Sequence, residues 1–220
     1  MPNLLLDNDI LIKCACYSIL DQICGPPGEQ GDVAVLGAAR FVVSKYLERR
    51  GTIQDREAAR GRFRDYLSTV IVLEPTTDEI KLASAIEEAA TLLDLDLDSG
   101  ESQLCAIAIF RGPYLVLTGD KRAIASAETL KESVGELTSL TGRLVCLEQA
   151  IMGLGQRIGI DTIRVLICAE AAVDKALSIC FECHAIAEGQ PLELTGLHSY
   201  IRELRRQAPT LLYESDFLSL

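Results

Sequence analysis

The sequence is poor in histidine and lacks the signatures of several common functional classes. It has 2 histidines in 220 residues, which disfavours a mechanism built on a histidine-activated nucleophile. It has neither the Gly-x-x-x-x-Gly-Lys-Ser/Thr phosphate loop nor a Gly-x-Gly-x-x-Gly run after a strand pattern. No window of about 18 residues is uniformly apolar, and the first residues lack the basic region of a secretory signal. We therefore predict a cytoplasmic protein with no membrane partner.

The 8 cysteines lie mostly in apolar or amphipathic segments, Cys168 among them. We predict reduced, buried thiols, the usual state in the cytoplasm. The run from Cys180 to His184 matches the Cys-x-x-Cys-His pattern of covalent haem attachment, but that chemistry belongs to exported proteins. Zinc ligation by Cys180, Cys183 and His184 is a further alternative, although no fourth ligand is obvious. The favoured interpretation is two buried cysteines on one helix face.

The formal net charge is −11, so the overall field of the protein does not favour a polyanion such as nucleic acid. The basic side chains are concentrated between Arg40 and Arg64. A solvated pair of helices would explain this stretch. The same stretch is the best candidate for contact with an RNA backbone if the acidic side chains are gathered elsewhere around a metal.

Short apolar runs alternate with segments of helical periodicity through the first two thirds of the chain. The predicted strands are 3–7, 32–36, 70–73, 114–117 and 143–147, and the β-branched run at 70–73 is expected to be buried. The predicted helices are 8–24, 37–49, 53–68, 78–93, 99–110 and 121–130. Such alternation implies right-handed crossovers and a parallel sheet covered on both faces. The predicted fold class is α/β, a three-layer α/β/α sandwich with a central, mostly parallel sheet.

The pattern changes after about residue 148. Residues 161–187 are rich in Ala, Ile, Leu and Cys at helical spacing, and Thr195 caps a further amphipathic helix that ends near Arg206. We predict an α/β domain at 1–150 and a helical extension at 151–220. The extension is expected to pack on the core or on another subunit.

Acidic residues follow two predicted strands, at the point where each strand ends. Leu4-Leu5-Leu6 stops at Asp7-Asn8-Asp9, and the run 114–117 stops at Thr118-Gly119-Asp120. A third acidic stretch, Asp94 to Glu101, opens an Ala- and Ile-rich segment. In a parallel sheet these positions meet at one edge, where like charges repel unless a cation or a proton lies among them. The alternative is local, because an Asp at a strand end often serves a turn and an acid in the first turn of a helix interacts with its dipole.

Three of these motifs resemble the PIN-domain family. They are Leu4 to Asp9, Leu97-Asp98-Ser99-Gly100-Glu101 with Ala106 and Ala108 after it, and Leu115 to Arg122. They occur in the order of the family, and the subgroup with a Gly-Glu turn before a long Ala-rich helix is the most similar. The resemblance covers about residues 1–147. PIN domains are α/β/α sandwiches, most of them metal-dependent ribonucleases and many of them toxins of bacterial toxin–antitoxin pairs.

The resemblance implies a set of site residues and partners. Asp7, Glu101 and Asp120 are implied as catalytic residues that hold Mg²⁺ or Mn²⁺, with Asp98 and Asp9 as further metal ligands. Oxygen ligands suit those hard cations. The implied partners are RNA and an inhibitory antitoxin-like protein. A second copy of the chain, bound through the C-terminal helices, is a further expected partner that follows from the helical extension. The residues implied in substrate binding are Asn8, Thr118, Lys121, Arg122 and Arg40.

One position departs from the family pattern. Arg40 stands about where a further acid is expected in the helix after the second strand. Three outcomes stay open: Glu48 or Asp9 substitutes for that acid, the metal site is weaker, or Arg40 neutralises the acids so that no metal is needed. The last outcome would make the chain a catalytically inactive PIN-like interaction module.

A second enzyme class also fits the first motif. Asp7-Asn8-Asp9 after an apolar strand resembles the nucleophile and acid–base pair of haloacid-dehalogenase-type phosphatases, in which Asp7 would become phosphorylated. That family needs its later motifs on separate segments. Here Thr118, Asp120 and Lys121 crowd into one turn, so this class remains the alternative.

Overall fold

The computed structural model of the chain describes residues 3–24, 33–112, 114–184, 192 and 194–216. Its centre is a five-stranded sheet in the order β3-β2-β1-β4-β5, and every pairing between neighbouring strands is parallel. The predicted α/β class with a parallel central sheet is confirmed. The strands are β1 (Asn3–Leu6), β2 (Val33–Leu36), β3 (Ile71–Leu73), β4 (Tyr114–Thr118) and β5 (Leu144–Cys146).

Helices connect successive strands and continue beyond the last one. Before β4 they are α1 (Asn8–Tyr17), α2 (Leu20–Cys24), α3 (Ala39–Arg49), α4 (Arg56–Leu67), α5 (Thr77–Leu92) and α6 (Ser99–Arg111). After β4 they are α7 (Lys121–Leu130), a 3₁₀ helix (Gly135–Leu140), α8 (Leu147–Ile158), α9 (Ile160–Ala169), α10 (Lys175–Cys180) and α11 (Thr195–Gln207). The helix predicted at 8–24 is therefore two helices, because Ser18 adopts a left-handed conformation with φ of 60°.

The direction of the crossovers decides which face each helix covers. From β1 the chain moves outward to β2 and β3, and it then returns to β4 and β5 on the other side of β1. Right-handed crossovers consequently place α1–α4 on one face and α5–α7 on the other. Contacts of α1 with α3 and α4, and of α5 with α6, agree with these two layers. The sheet forms the middle layer, and its buried strand residues form the core.

Strand β3 lies at an edge of the sheet rather than at its centre. Ile71 is 41% exposed and Val72 is 44% exposed. The prediction of a buried strand at 70–73 was wrong for these two side chains, because β3 pairs only with β2. An apolar β-branched run does not by itself distinguish a central strand from an edge strand.

The C-terminal helices pack directly on the α/β part. Helix α8 begins at Leu147, immediately after β5, so the predicted boundary at residue 150 falls inside a helix. Helix α11 contacts both α7 and α8. After α11 the chain reaches the outer edge of β5, where the Leu144 N–H donates to the Leu211 carbonyl (2.9 Å) and the Tyr213 N–H donates to the Leu144 carbonyl (2.7 Å). This segment covers an edge that would otherwise expose unpaired backbone groups.

One pair of cysteines departs from the predicted thiol state. Cys168 in α9 is joined by a disulfide to Cys183, which follows α10. The prediction of reduced thiols was wrong for both, because the turn between α9 and α10 brings their side chains together. Cys183 is thereby unavailable for haem attachment or zinc ligation. Cys180 is a free, buried thiol, as are Cys14, Cys16, Cys105 and Cys146.

Within the described ranges, every helix is too short or too polar to cross a membrane.

Candidate functional site

An acidic cleft lies at the carboxyl ends of β1 and β4, the two neighbouring strands at the middle of the sheet. Asp7 follows β1 directly, and Asp120 follows β4 by two residues. The start of α6 brings in the third acidic motif. The cleft has a volume of about 620 Å³. Its lining residues are Asp7, Asn8, Asp9, Ile12, Lys13, Val42, Asp98, Gly100, Glu101, Gly119, Asp120, Lys121 and Arg122.

Asp7 is the most deeply placed of these acids, with 8% of its surface exposed. One carboxylate oxygen accepts from the backbone N–H of Asn8 (2.6 Å). The other accepts from the hydroxyl of Thr118 (3.1 Å). Burial, reinforced by the charge of Asp9, raises the pKa of Asp7 to about 6. A positive ligand in the cleft would remove the cost of charging this group.

Asp98 and Glu101 hold each other at the beginning of α6. The Glu101 N–H donates to Asp98 Oδ1 (3.0 Å), and the Asp98 N–H donates to Glu101 Oε2 (2.9 Å). This reciprocal pair is a capping box, so Glu101 serves the helix as well as the cleft. Burial, together with the charges of Asp98, Asp7 and Asp120, raises the pKa of Glu101 to about 8. These couplings place the three acidic motifs in one electrostatic environment.

Asp120 caps the beginning of α7. Its Oδ1 accepts from the N–H groups of Arg122 (2.8 Å) and Ala123 (3.4 Å), and its Oδ2 accepts from the Arg122 guanidinium (3.1 Å). Burial would raise the pKa of Asp120, but the hydrogen bonds and charge of Arg122 outweigh it and lower that pKa. The contacts with Arg122 therefore favour the ionised form of Asp120.

Asp9 is paired with a cation that the sequence motifs did not identify. Lys13, one helical turn later in α1, contacts Asp9 Oδ2 (2.6 Å) and also Asp174 Oδ2 (2.7 Å). Burial outweighs the effect of Lys13, and the pKa of Asp9 is raised. Gly119 makes room for this arrangement, since a Cβ there would lie 1.9 Å from Asp9 Oδ2.

Sequence reasoning missed Lys13 and Asp174 as residues near the cleft, and a recognisable sequence signal exists only for Lys13. The spacing of Asp9 and Lys13 is i, i+4 on one helix, a recognisable ion-pair signal. Asp174 caps α10 by accepting from the Leu177 N–H (3.0 Å). Nothing in the sequence connects that local role with Lys13, 161 positions earlier along the chain.

The residues predicted to bind substrate occupy different places. Asn8 and Arg122 line the cleft, and the Arg122 side chain is 71% exposed. Thr118 is buried; its hydroxyl donates to Asp7 and accepts from the Asp120 N–H (3.1 Å), so the structure gives it a role in positioning acids rather than in contacting substrate. Lys121 reaches the cleft, but its ammonium group contacts Glu148 (2.5 Å) and lies 4.9 Å from the centre of the Tyr200 ring.

Arg40 does not neutralise the acids. It is exposed, and its guanidinium lies over the ring of Phe41, 4.6 Å from the ring centre. Arg40 and Glu48 are both absent from the lining of the cleft, so Glu48 does not substitute for the missing acid. Of the two substitutes considered, Asp9 is the one that lines the cleft.

The carboxylate oxygens of the cleft are the kind of ligand that a hard divalent cation prefers, but they are not arranged as a metal site. Five carboxylates face one cleft, and burial and mutual repulsion raise the pKa values of Asp7, Asp9 and Glu101. Each of the five already accepts a hydrogen bond or pairs with Lys13. Among the described residues, no three His, Cys, Asp or Glu side chains are grouped closely enough to hold a metal. Ligation would require these carboxylates to turn away from their present partners.

Comparison with family models, with curated proteins and with solved structures finds no significant match to this chain.

Proposed function

We propose that the protein is a Mg²⁺- or Mn²⁺-dependent ribonuclease of the PIN type. The observation that carries the proposal is the meeting of Asp7, Asp9, Asp98, Glu101 and Asp120 in one cleft at the carboxyl ends of β1 and β4. A crowded set of partly buried acids is costly unless a cation or protons are present. The same cleft is open to solvent at Arg122, which gives a phosphodiester a route of approach.

In this proposal Asp7, Glu101 and Asp120 would hold the cation, and Asp9 and Asp98 would complete its surroundings. A cation bound there would supply an activated water and stabilise negative charge on the phosphate. Thr118 keeps Asp7 oriented through its hydroxyl, which donates over 3.1 Å. Arg122 offers its guanidinium to a phosphate oxygen, because it is exposed at the rim of the cleft.

The proposed nuclease is cytoplasmic and would be restrained by an antitoxin-like protein partner, as the resemblance to the PIN family implies. The C-terminal helices are the proposed contact for a second copy of the chain.

The test is cleavage of a mixed RNA pool by the purified chain with Mn²⁺. Parent protein is expected to degrade the pool, while Asp7→Asn and Asp120→Asn are expected to lose activity by roughly 100-fold, the upper end of the loss that follows when a residue supporting a metal ligand is changed. Asp65→Asn is the matched control, because Asp65 is exposed and its ion pair is with the neighbouring Arg64. Equal degradation by all four proteins would identify a contaminating nuclease and contradict the proposal.

A second candidate is a catalytically inactive interaction module. The observation that favours it is that every acid of the cleft has a partner within the protein, including the pair of Asp9 with Lys13. Thermal unfolding with and without Mn²⁺ separates the two candidates, because a ligand of the folded state must raise its apparent stability.

The phosphatase alternative is tested by incubating the protein with a small phosphate ester and Mg²⁺. Turnover that Asp7→Asn abolishes, without RNA cleavage, would favour that class.

A further inference from the structure

Helix α3 exposes an aromatic side chain beside the acidic cleft. Phe41 is 66% exposed, and the adjacent Val42 is 46% exposed. Val42 lines the cleft, so Phe41 stands next to its rim. Phe41 and Val42 together expose an apolar surface beside a polar cleft.

Three cations accompany this ring on the exposed surface of α3. The Arg40 guanidinium lies 4.6 Å from the centre of the Phe41 ring. Lys45 and Arg49 follow Phe41 at intervals of four residues, so Phe41, Lys45 and Arg49 form one stripe along the helix. Within the described part of the chain, Arg40, Lys45 and Arg49 form no ion pair. These exposed cations are available to contact phosphates.

We propose that Phe41 is a stacking platform for an unpaired base of single-stranded RNA, with Lys45 and Arg49 contacting phosphates along the same strand. This proposal deepens the proposed function and rests on it, since the strand would run from the acidic cleft onto α3. Single-strand binding sites combine aromatic rings, which stack on bases, with a basic groove that follows the backbone. Arg40 lies over the ring and would either add a second stacking surface or move to a phosphate.

The ring selects single strands over duplexes for a geometric reason. The faces of paired bases are covered by their neighbours in the helix, whereas unpaired bases can turn out and stack on a side chain. The stripe of cations does not make this distinction, because phosphates occur in both forms. The contribution of Phe41 should therefore appear with single strands alone.

The test measures binding of fluorescently labelled single-stranded and duplex RNA by anisotropy, using the full chain in EDTA at low salt. Phe41→Ala is expected to weaken single-strand binding by roughly tenfold, within the range for loss of one stacked base. It should leave duplex binding unchanged, and Phe41→Tyr should retain the parent affinity. Phe110→Ala is the matched control: Phe110 is 55% exposed but lies near the far end of α6, about 13 Å along the helix from Glu101.

The outcomes separate this proposal from the nuclease proposal. If the cleft does not cut RNA but Phe41→Ala still weakens single-strand binding selectively, the platform stands and the nuclease proposal fails. If RNA is cleaved but Phe41→Ala and parent bind single strands equally, the platform is overturned. Absence of RNA binding by the parent also overturns it. If Phe41 instead binds a protein partner, the parent and the Phe41 variants would bind RNA with equal affinity, and this result would also overturn the proposal.

Discussion

Glu101 and Asp7 are held where their negative charge is disfavoured, and this has a consequence for stability. Burial is the main cause in both, and neighbouring carboxylates add to it. A carboxyl group whose pKa is raised on folding binds its proton more tightly in the folded state than in the unfolded state. The folded protein is then favoured at low pH and loses that advantage as the proton is removed. A divalent cation would replace the proton.

We expect the metal-free protein to lose stability as the pH rises through the window set by Glu101. The usual pKa of 4.5 is raised to about 8, so this contribution is fully present below about 4.5 and is lost as the pH passes about 8. Glu101→Gln removes the titrating proton and retains an oxygen for the capping box. The variant should therefore unfold at a higher temperature than the parent at pH 8 in EDTA, by a few degrees.

Thermal unfolding in EDTA across this pH range measures the effect. Glu132→Gln is the control, because Glu132 is exposed and should leave the slope of the parent unchanged. Identical pH dependence in the parent and in Glu101→Gln would show that Glu101 does not carry the linkage. Adding Mn²⁺ at pH 8 should stabilise the parent and have less effect on Glu101→Gln.

Ionised Glu101 destabilises the folded protein, whereas Lys13 is expected to stabilise it, because Lys13 supplies positive charge between two acids. Its ammonium group contacts Asp9 and Asp174, and its side chain is 14% exposed. We expect Lys13→Met to lower the free energy of unfolding by about 3 kcal/mol at neutral pH, the lower end of the cost of breaking a buried pair, because two partly buried carboxylates lose their partner. Denaturant titration followed by circular dichroism measures the loss.

Lys81→Met is the matched control for that experiment. Lys81 also pairs with an acid, Asp78, but both side chains are 71% exposed. Exposed pairs contribute little, so a change within about 0.5 kcal/mol is expected. A similar loss in both variants would indicate that the lysine chains matter through general packing rather than through the buried charge.

At the scale of elements, the strands were readable from the sequence and their places in the sheet were not. Apolar runs bounded by Asp, Gly or Pro predicted all five strands of the described fold. The edge position of β3 depends on strand order, which no local pattern encodes. The break at Ser18 was missed because Ser in a left-handed conformation gives no clear stop signal, unlike Gly. The partnership of Cys168 and Cys183 likewise depends on a turn between two helices.

The disulfide links α9 to the end of α10 across a separation of 15 residues. Closing a loop of that length is expected to stabilise the fold by about 3 kcal/mol, chiefly by restricting the unfolded chain. Replacement of both Cys168 and Cys183 by Ser should therefore lower the melting temperature. Reducing agent should lower it in the parent and leave the double variant unchanged. A parent insensitive to reduction would contradict a stabilising role for this bond.

At the scale of the whole molecule, the C-terminal helices and the acidic cleft are connected. Asp174 precedes α10 and reaches Lys13 beside the cleft. Glu170 accepts the N–H groups of Gln54 (2.9 Å) and Asp55 (2.8 Å) at the beginning of α4. The segment between α9 and α10 thus touches two elements of the α/β part. A perturbation of this segment should reach the cleft through the contact of Asp174 with Lys13.

Local motifs were sufficient for part of the candidate site. Asp7, Glu101 and Asp120 stand beside strand ends or helix starts, and parallel topology alone brings such positions together. The proximity of Asp174 could not be predicted, because it requires knowing how α10 packs against α1. The exposure of Phe41 was also invisible, since its helical spacing is the same as that of a core residue. Periodicity defines a face of a helix but not what covers that face.

The α/β part is not expected to fold without the C-terminal helices. Leu197, Ile201 and Leu204 of α11 are at most 1% exposed, and each such side chain contributes about 1.5–3 kcal/mol when buried. Their loss, together with the backbone pairing of Leu211 with β5, approaches the total stability of a typical domain, about 5–15 kcal/mol. A chain of residues 1–158 is therefore expected to lack a cooperative unfolding transition in calorimetry. In the full-length chain, Leu204→Asp should be strongly destabilised, whereas Arg202→Asp, on the exposed side of α11, should not. Cooperative unfolding of the 1–158 chain at the melting temperature of the parent would contradict this expectation and establish the α/β part as an independent domain.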